Sequence, residues 1–288
     1  MSVDAAAIEA LVATLHGRRV VALTGAGVST ESGIPDYRSP ESAAKARRPI
    51  HGPEFVRSES LRRRYWARAM VGWTKFCEAQ PGASHLAIAK LEARGVVKGT
   101  ITQNVDRLHR AAGSRRVIEL HGALAEVACL GCGHIEDRDD VQARMRERNA
   151  AWIDGPAPMA PDGDADLPDD VIARFDVPTC TRCEGVLKPR VVFFGDSVPR
   201  AIVDEAFAWV DAADVLLVAG TSLAVFSGYR FLRRAAERGI PIAIVNRGPV
   251  RGEESATIKI EASTGDVLAA VADRLDVSST LLQPPSAP

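Results

Sequence analysis

Apolar residues recur at helical spacing after Asp4, at Ile8, Leu11, Val12 and Leu15, and Gly17 comes after the last of them. A capping side chain ahead of such a stripe and a glycine behind it predict a first helix. The period then changes. Arg19–Thr24 (RVVALT) is a short β-branched, apolar run without polar alternation, the pattern of a strand buried on both faces, and it ends in Gly25-Ala26-Gly27. Ser58 to Glu78 returns to helical spacing, with Leu61, Tyr65, Trp66, Met70 and Trp73 apolar and Arg62, Arg63, Arg64 and Arg68 forming a basic face, until Pro81-Gly82 ends it. Ala83–Arg94, stopped by Gly95, predicts a second helix and Val96–Thr102 a strand. Late in the chain Val191–Phe194, Val215–Ala219 and Pro241–Val245 read as strands, and Pro199–Ala213 and Gly228–Arg238 as helices between them. Alternating strands and helices predict an α/β fold, a Rossmann-like doubly wound parallel sheet.

Between these halves, from Cys129 to Cys183, the texture is different: a Pro/Gly/Asp-rich stretch at Asp154–Asp170 and a predicted helix near Asp139–Asn149. It reads as an insertion. Cys129/Cys132 and Cys180/Cys183 form two C-x-x-C pairs, and two residues between thiolates let both sulfurs reach one tetrahedral ion. Four thiolate ligands leave no open position for water, so a structural zinc is expected rather than a catalytic one. Cys77 has no companion and is expected to be a buried, inert thiol. The predicted organisation is a Rossmann-like domain assembled from 1–40, 78–126 and 188–277, a helical module at 41–77, a small zinc-binding domain at 127–187 and a flexible tail at 278–288.

Composition narrows the function classes. Of 288 residues, 36 are Lys or Arg and 37 Asp or Glu, a net charge of −1 that provides no global pull toward nucleic acid or membrane lipid. No apolar run is long enough to span a bilayer, and Met1–Ala13 lacks a signal-peptide pattern. A cytoplasmic protein is expected, whose reducing surroundings favour metal over disulfide at the cysteine pairs.

The candidate chemistry lies at the ends of predicted strands. Glycine at 25 and 27 lets a pyrophosphate approach backbone N–H groups, although a bland turn reads the same way, and Thr30 stands where a hydride-transfer fingerprint wants a third glycine. Gln103, Asn104 and Asp106 come after a buried strand, where open α/β sheets place ligands, and a helix cap by Asn104 alone is the plainer alternative. His121 comes after the apparent strand Val117–Leu120, and imidazole is the side chain best suited to taking a proton near neutral pH. Gly220, Thr221 and Ser222 succeed Val215–Ala219, and Asn246 succeeds the next strand; their N–H and hydroxyl groups suit phosphate and ribose oxygens, or ordinary turns.

With these residues in view, the chain resembles the sirtuins, NAD-dependent protein deacylases. The matching segments are GAGVSTESGIPDYRS at 25–39, TQNVDRLHRAAG at 102–113, ELHG at 119–122, the cysteine pairs, KPRVVFFGD at 188–196, AGTSL at 219–223 and IVNRG at 244–248, in the family's order over nearly the whole chain. Residues 47–73, APDGD at 160–164 and the aspartate of FFGD are similar to the class II branch of the animal mitochondrial lipoamidase-type sirtuin. The resemblance implies His121 as general base and Asn104 as its catalytic partner on the ribose hydroxyls. It implies NAD contacts at Gly25, Ala26, Gly27, Ser29, Ile34, Asp36, Tyr37 and Arg38, at Gln103, Asn104 and Asp106, and at Gly220, Thr221, Ser222 and Asn246. Val192, Phe193 and Gly195 resemble the segment that pairs with an extended peptide, with a core strand as the plainer reading.

NAD is then a co-substrate. The acyl oxygen of an acylated lysine attacks the nicotinamide ribose C1′ as nicotinamide leaves, and His121 takes a proton from a ribose hydroxyl, so that O-acyl-ADP-ribose and free lysine result. Asp36, Tyr37 and Arg38 belong to a loop expected to close over NAD. In the class II branch the helical module borders the acyl pocket, so an arginine among Arg47, Arg48, Arg57, Arg62, Arg63 and Arg64 either attracts an acidic acyl group or lies on a solvated helix face. The partners implied are an acylated lysine on a protein or peptide, without membrane or specific nucleic acid, and a monomer is expected. Protein mono-ADP-ribosylation at the same NAD site is the alternative reaction.

Overall fold

The computed structural model describes residues 4–36, 49–150 and 167–280. The chain opens with α1 (Ala5–Leu15), where the Asp4 carboxylate accepts from the Ala6 N–H as the predicted cap, and continues into β1 (Val20–Thr24). Helices α2 (Gly52–Arg57) and α3 (Glu59–Phe76) come next, and the Ser58 hydroxyl starts the second by accepting from the Leu61 N–H. Then come α4 (Ala83–Ala93), β2 (Val97–Thr102), the short α5 (Leu108–Ala111) and β3 (Val117–Glu119). A second set comprises β4 (Gly122–Cys129), β5 (Ile135–Asp137), α6 (Arg138–Arg148), α7 (Asp169–Arg174) and β6 (Leu187–Val191). The chain ends through α8 (Arg200–Ala212), β7 (Val215–Ala219), α9 (Phe226–Glu237), β8 (Ile242–Val245), β9 (Ile258–Ile260) and α10 (Thr264–Thr280).

The large sheet has the order β3-β2-β1-β7-β8-β9 with every pair parallel. Successive strands move outward from β1 on one side, and after β7 outward on the other, so β1 and β7 meet at the topological switch point where such sheets open a ligand crevice beyond their carboxyl ends. The apolar runs are dictated by two covered faces. Val20 and Ala22 of β1 pack with Ile8 and Leu11 of α1, Ile88 and Leu91 of α4 and Val267 of α10; Val21 and Leu23 point the other way, to Val210 of α8 and Phe231 of α9.

The smaller sheet, β5-β4-β6, is antiparallel. Its apolar residues Val127 and Leu187, with Val141 and Met145 of α6, share one cluster with Phe55, Tyr65, Trp66 and Met70 of the helical segment, so neither closes a core alone. Arg138 sits at that seam, 2% exposed, its guanidinium 4.8 Å from the Trp73 ring centroid and 5.6 Å from that of Trp66. It donates to Gln142 Oε1 (2.7 Å) and the Ala69 carbonyl (3.0 Å), and burial lowers its pKa to about 10.

Several expectations are corrected here. The strand predicted at Val191–Phe194 begins earlier, at Leu187, ends at Val191, and belongs to the small antiparallel sheet instead of the α/β alternation. Cys77 is exposed: it is the C-cap residue of α3, beyond the buried Trp73 and Phe76 of the last turn. Its thiol pKa is nonetheless raised, first by partial burial and then by Asp139 and Glu78, which keeps it protonated and unreactive. The helix α10 runs through Thr280, into the segment expected to be tail.

Candidate functional site

The switch point brings two loops into van der Waals contact. The Gly27 N–H donates to the Gly220 carbonyl at 2.8 Å, and a Cβ on Gly27 would lie 2.9 Å from Gly220 Cα. Gly220 itself has φ +59° and would place a Cβ 2.5 Å from the Val28 nitrogen. The two glycines are therefore required by each other before any phosphate arrives. Beyond Gly25 the loop forms a pair of 3₁₀ turns, Ala26–Val28 and Thr30–Ser32, and so offers backbone N–H groups without the dipole of a long helix.

Beside this contact lies a connected polar cluster. Ser29 Oγ accepts from Asn104 Nδ2 (2.9 Å) and donates to Asp106 Oδ2 (2.7 Å), while Asp106 Oδ1 accepts from the Leu108 N–H. Asn104 Nδ2 also donates to the Gly25 carbonyl at 3.1 Å, so its uncommitted group is the Oδ1 acceptor, the kind a ribose hydroxyl donates to. Asn104 is no helix cap: Arg107 holds the position before α5. Behind the cluster, fully buried His85 accepts from the Gly82 N–H at Nδ1 and reaches Ser29 Oγ with Nε2 (3.4 Å). His109 meets Thr24 Oγ1 at 2.9 Å, and its ring centroid is 4.8 Å from that of His85. Burial, with the His85 neighbour second, pushes His109 down to about 3, so this pair supports the cluster as neutral rings.

His121 stands just past β3 with both ring nitrogens engaged, Nδ1 at 2.9 Å from the Gln103 carbonyl and Nε2 at 2.8 Å from Ser227 Oγ. A carbonyl only accepts, so the proton is on Nδ1 and the lone pair on Nε2. Burial lowers the His121 pKa most, the bond to Gln103 raises it, and the Arg230 guanidinium lowers it further. Gln103 is itself fixed, its Nε2 donating to the Thr24 carbonyl and to Thr221 Oγ1. Asn246, 7% exposed at the end of β8, donates its amide to the Arg247 and Gly248 carbonyls, and Ser222 is half-buried beside Thr221.

The four cysteine sulfurs lie within 4.8 Å of one another, with Cys129 to Cys183 at 3.5 Å and Cys132 to Cys180 at 3.7 Å. Thiolates at about 2.3 Å from a tetrahedral zinc are about 3.8 Å apart, so the donor set fits that ion. Backbone N–H groups of Gly131 and Arg182 point at the Cys129 and Cys180 sulfurs, the donors that stabilise thiolate over thiol.

A family model described as the Sir2 family matches residues 25–227, which include the switch-point loops, the polar cluster, His121 and all four cysteines. The chain belongs to the Sir2 family. It is 50% identical over 280 residues to NAD-dependent protein deacetylase 1 of Mycobacterium avium (strain 104), covering 96% of this chain and 98% of that protein. It is 49% identical over 252 residues to NAD-dependent protein deacylase Sirt4 of Drosophila melanogaster, covering 86% and 81%, in keeping with the likeness to an animal branch. Among solved structures, a Sir2–p53 peptide–NAD+ complex superposes with TM-score 0.72 at 28% identity, covering 95% of this chain and 99% of that one.

In this Sir2 chain the remaining predicted residues divide. Ile34, 4% exposed, packs with Trp73, Phe76 and Leu108 and closes the floor of the loop. Asp36 is the last described residue of that loop, and Tyr37, Arg38, Arg47 and Arg48 lie outside the described residues. Val192, Phe193 and Gly195 form an irregular segment beyond β6: the Val192 N–H donates to the His121 carbonyl, the Phe193 N–H to Asp196 Oδ2, and the Phe194 carbonyl accepts from the Gly52 N–H. Much of its backbone is thus committed within the chain. Arg57 and Arg62 bond carbonyls of α2, Arg63 bonds Glu59 and the Ala173 carbonyl, and Arg64 pairs with Asp169; Arg57 and Arg64 are exposed, whereas Arg62 and Arg63 are half-buried. Sequence reasoning does not point to Ser227, His85 or Arg230. A serine near a helix start and a histidine inside a helix carry no mark of what they touch across the fold.

Proposed function

We propose that this chain is an NAD-dependent protein-lysine deacylase, which with water converts an acylated lysine and NAD into free lysine, nicotinamide and O-acyl-ADP-ribose. The observation that carries the reading is His121: a half-buried imidazole with a fixed tautomer, its Nδ1 bonded to the carbonyl of Gln103, the residue before an asparagine whose free group accepts from hydroxyls. His121 takes the proton of a ribose hydroxyl at Nε2, and Asn104 Oδ1 orients the ribose. Asp106 and Ser29, already bonded to each other, meet the carboxamide end. Gly25, Ala26 and Gly27 offer N–H groups to the phosphates with Gly220, Thr221 and Ser222 opposite, Gln103 braces His121, and Asn246 receives the distal ribose. Asp36, Tyr37 and Arg38 are proposed contacts to the co-substrate, and Ile34 lines the floor of the loop.

The acylated lysine reaches the crevice with its peptide laid along Val192, Phe193 and Gly195. Zinc at Cys129, Cys132, Cys180 and Cys183 holds the small sheet and leaves no coordination position for chemistry. All of these groups come from one chain, which suits a monomer, and a four-cysteine metal site suits the reducing cytoplasm.

The test is incubation with NAD and a panel of acyl-lysine peptides, read by mass spectrometry. The expected products are nicotinamide and O-acyl-ADP-ribose in equal amounts, and His121→Tyr lowers their formation by about 100-fold or more with zinc content and fold retained. Undiminished activity in that variant, or ADP-ribose attached to protein with no O-acyl-ADP-ribose, overturns the reading.

A further inference from the structure

Both nitrogens of His121 are held by the protein, and of the two holders only Gln103 lies in a motif legible in the sequence. Since Nδ1 gives its proton to the Gln103 carbonyl, Ser227 Oγ, 2.8 Å from Nε2, is the donor in the second bond. Ser227 lies in the first turn of α9, and the next residue, Gly228, abuts the Gln103 side chain so closely that a Cβ there would sit 2.4 Å from Oε1. One helical turn therefore presses on the residue that fixes Nδ1 and supplies the hydroxyl that fixes Nε2. Imidazole rotates about χ1 and χ2, and a ring held at one nitrogen alone keeps freedom about that bond; a ring held at two opposite atoms does not.

We propose that Ser227 is a positioning residue for the proton transfer, an inference that rests on the deacylase reading above. In the free enzyme its hydroxyl holds the imidazole in plane with the Gln103 carbonyl and keeps the basic nitrogen facing the crevice. When the ribose hydroxyl arrives, Ser227 rotates to another staggered well and yields Nε2 to it. No bond to Ser227 is made or broken: the proton that moves belongs to the ribose hydroxyl, ends on Nε2, and Ser227 keeps its own. Preorganisation of this kind acts on the step that needs the base and not on the departure of nicotinamide before it.

The test uses the full chain with Ser227→Ala and Ser227→Thr, measuring O-acyl-ADP-ribose formation and, separately, exchange of labelled nicotinamide into NAD in the presence of acylated peptide. Loss of the bond that sets the ring plane before the ribose hydroxyl arrives predicts that the Ala variant lowers kcat for O-acyl-ADP-ribose about tenfold. KM for NAD stays within about twofold, exchange falls at least about fivefold less than product formation, and Thr, which restores the hydroxyl, recovers the rate to within about threefold of the original. An Ala variant as fast as the parent or faster, a Thr variant as slow as Ala, or exchange and KM changing in step with kcat overturns the proposal. A parent protein that forms no O-acyl-ADP-ribose overturns the deacylase reading and this inference together, whereas an active parent with an indifferent Ala variant removes only the role of Ser227.

Discussion

The parallel sheet buries all five residues of β1 and all five of β7 between helices, whereas the antiparallel sheet has strands of three, eight and five residues and shares its core with α3. The consequence appears at their tips. At the switch point Ser29, Asn104, Asp106, Gln103 and His121 bond to one another and to backbone, a polar site already arranged because the apolar layers beneath fix its loops. In the small sheet Cys132 and Cys183 are exposed, and what the four sulfurs face is each other. One region uses apolar burial to support polar chemistry; the other uses a metal where burial is short.

Replacing Cys129 by Ser should have the largest effect. With one thiolate lost, zinc content falls toward zero and the small sheet loses several kcal/mol of folding free energy, seen in a thermal melt and by atomic emission. NAD binding measured by calorimetry should survive in large part if the two regions are supported separately. Loss of binding in step with the metal would break the comparison and make them one cooperative unit. Arg138→Met should come next, costing about 3 kcal/mol in a denaturant titration, because it removes two ring contacts and leaves the Gln142 amide oxygen and the Ala69 carbonyl buried without their donor. Zinc content should stay intact. A variant as stable as the parent would mean that methionine packing replaces the guanidinium, and that the seam is held by apolar contact alone.

How far these regions can be read from sequence differs in the same way. Strands β1, β7 and β8 are uninterrupted apolar runs, and a sheet covered on both faces can be built from little else, so their positions are plain. The pattern misplaces β6 because Leu187–Val191 contains Lys188, Pro189 and Arg190; Lys188 is tolerated there because its ammonium finds Asp196 at 3.1 Å and lies over the Phe193 ring. β9 and β5 are three residues each, too short to display a period. The site is legible where chemistry and turn signals coincide, as at Asn104, Asp106 and His121. It is not legible where a contact spans the fold: Ser227 lies 106 residues from His121, and His85 lies 56 from Ser29. Glycine at 27 does mark a demand for room, but the neighbour that takes the room is Gly220.

The smallest expected effect is a displacement in pH. The proposed general base His121 acts only while neutral, and in the folded chain burial, then the Arg230 guanidinium, hold it below its usual 6.5 against the opposing bond to Gln103. The rate constant kcat/KM should therefore be level through neutral pH and fall as pH drops through a value under 6.5. Arg230 opposes the arrival of a second positive charge, so Arg230→Gln should raise the His121 pKa and move that acid limb slightly to higher pH. A limb that stays in place would show that the guanidinium is not felt at the base, and a limb moving to lower pH would contradict the sign of the interaction. The shift should be small because burial comes first among the causes, and the substitution leaves it untouched: the sheet beneath, more than any charge beside it, sets the basicity of the ring.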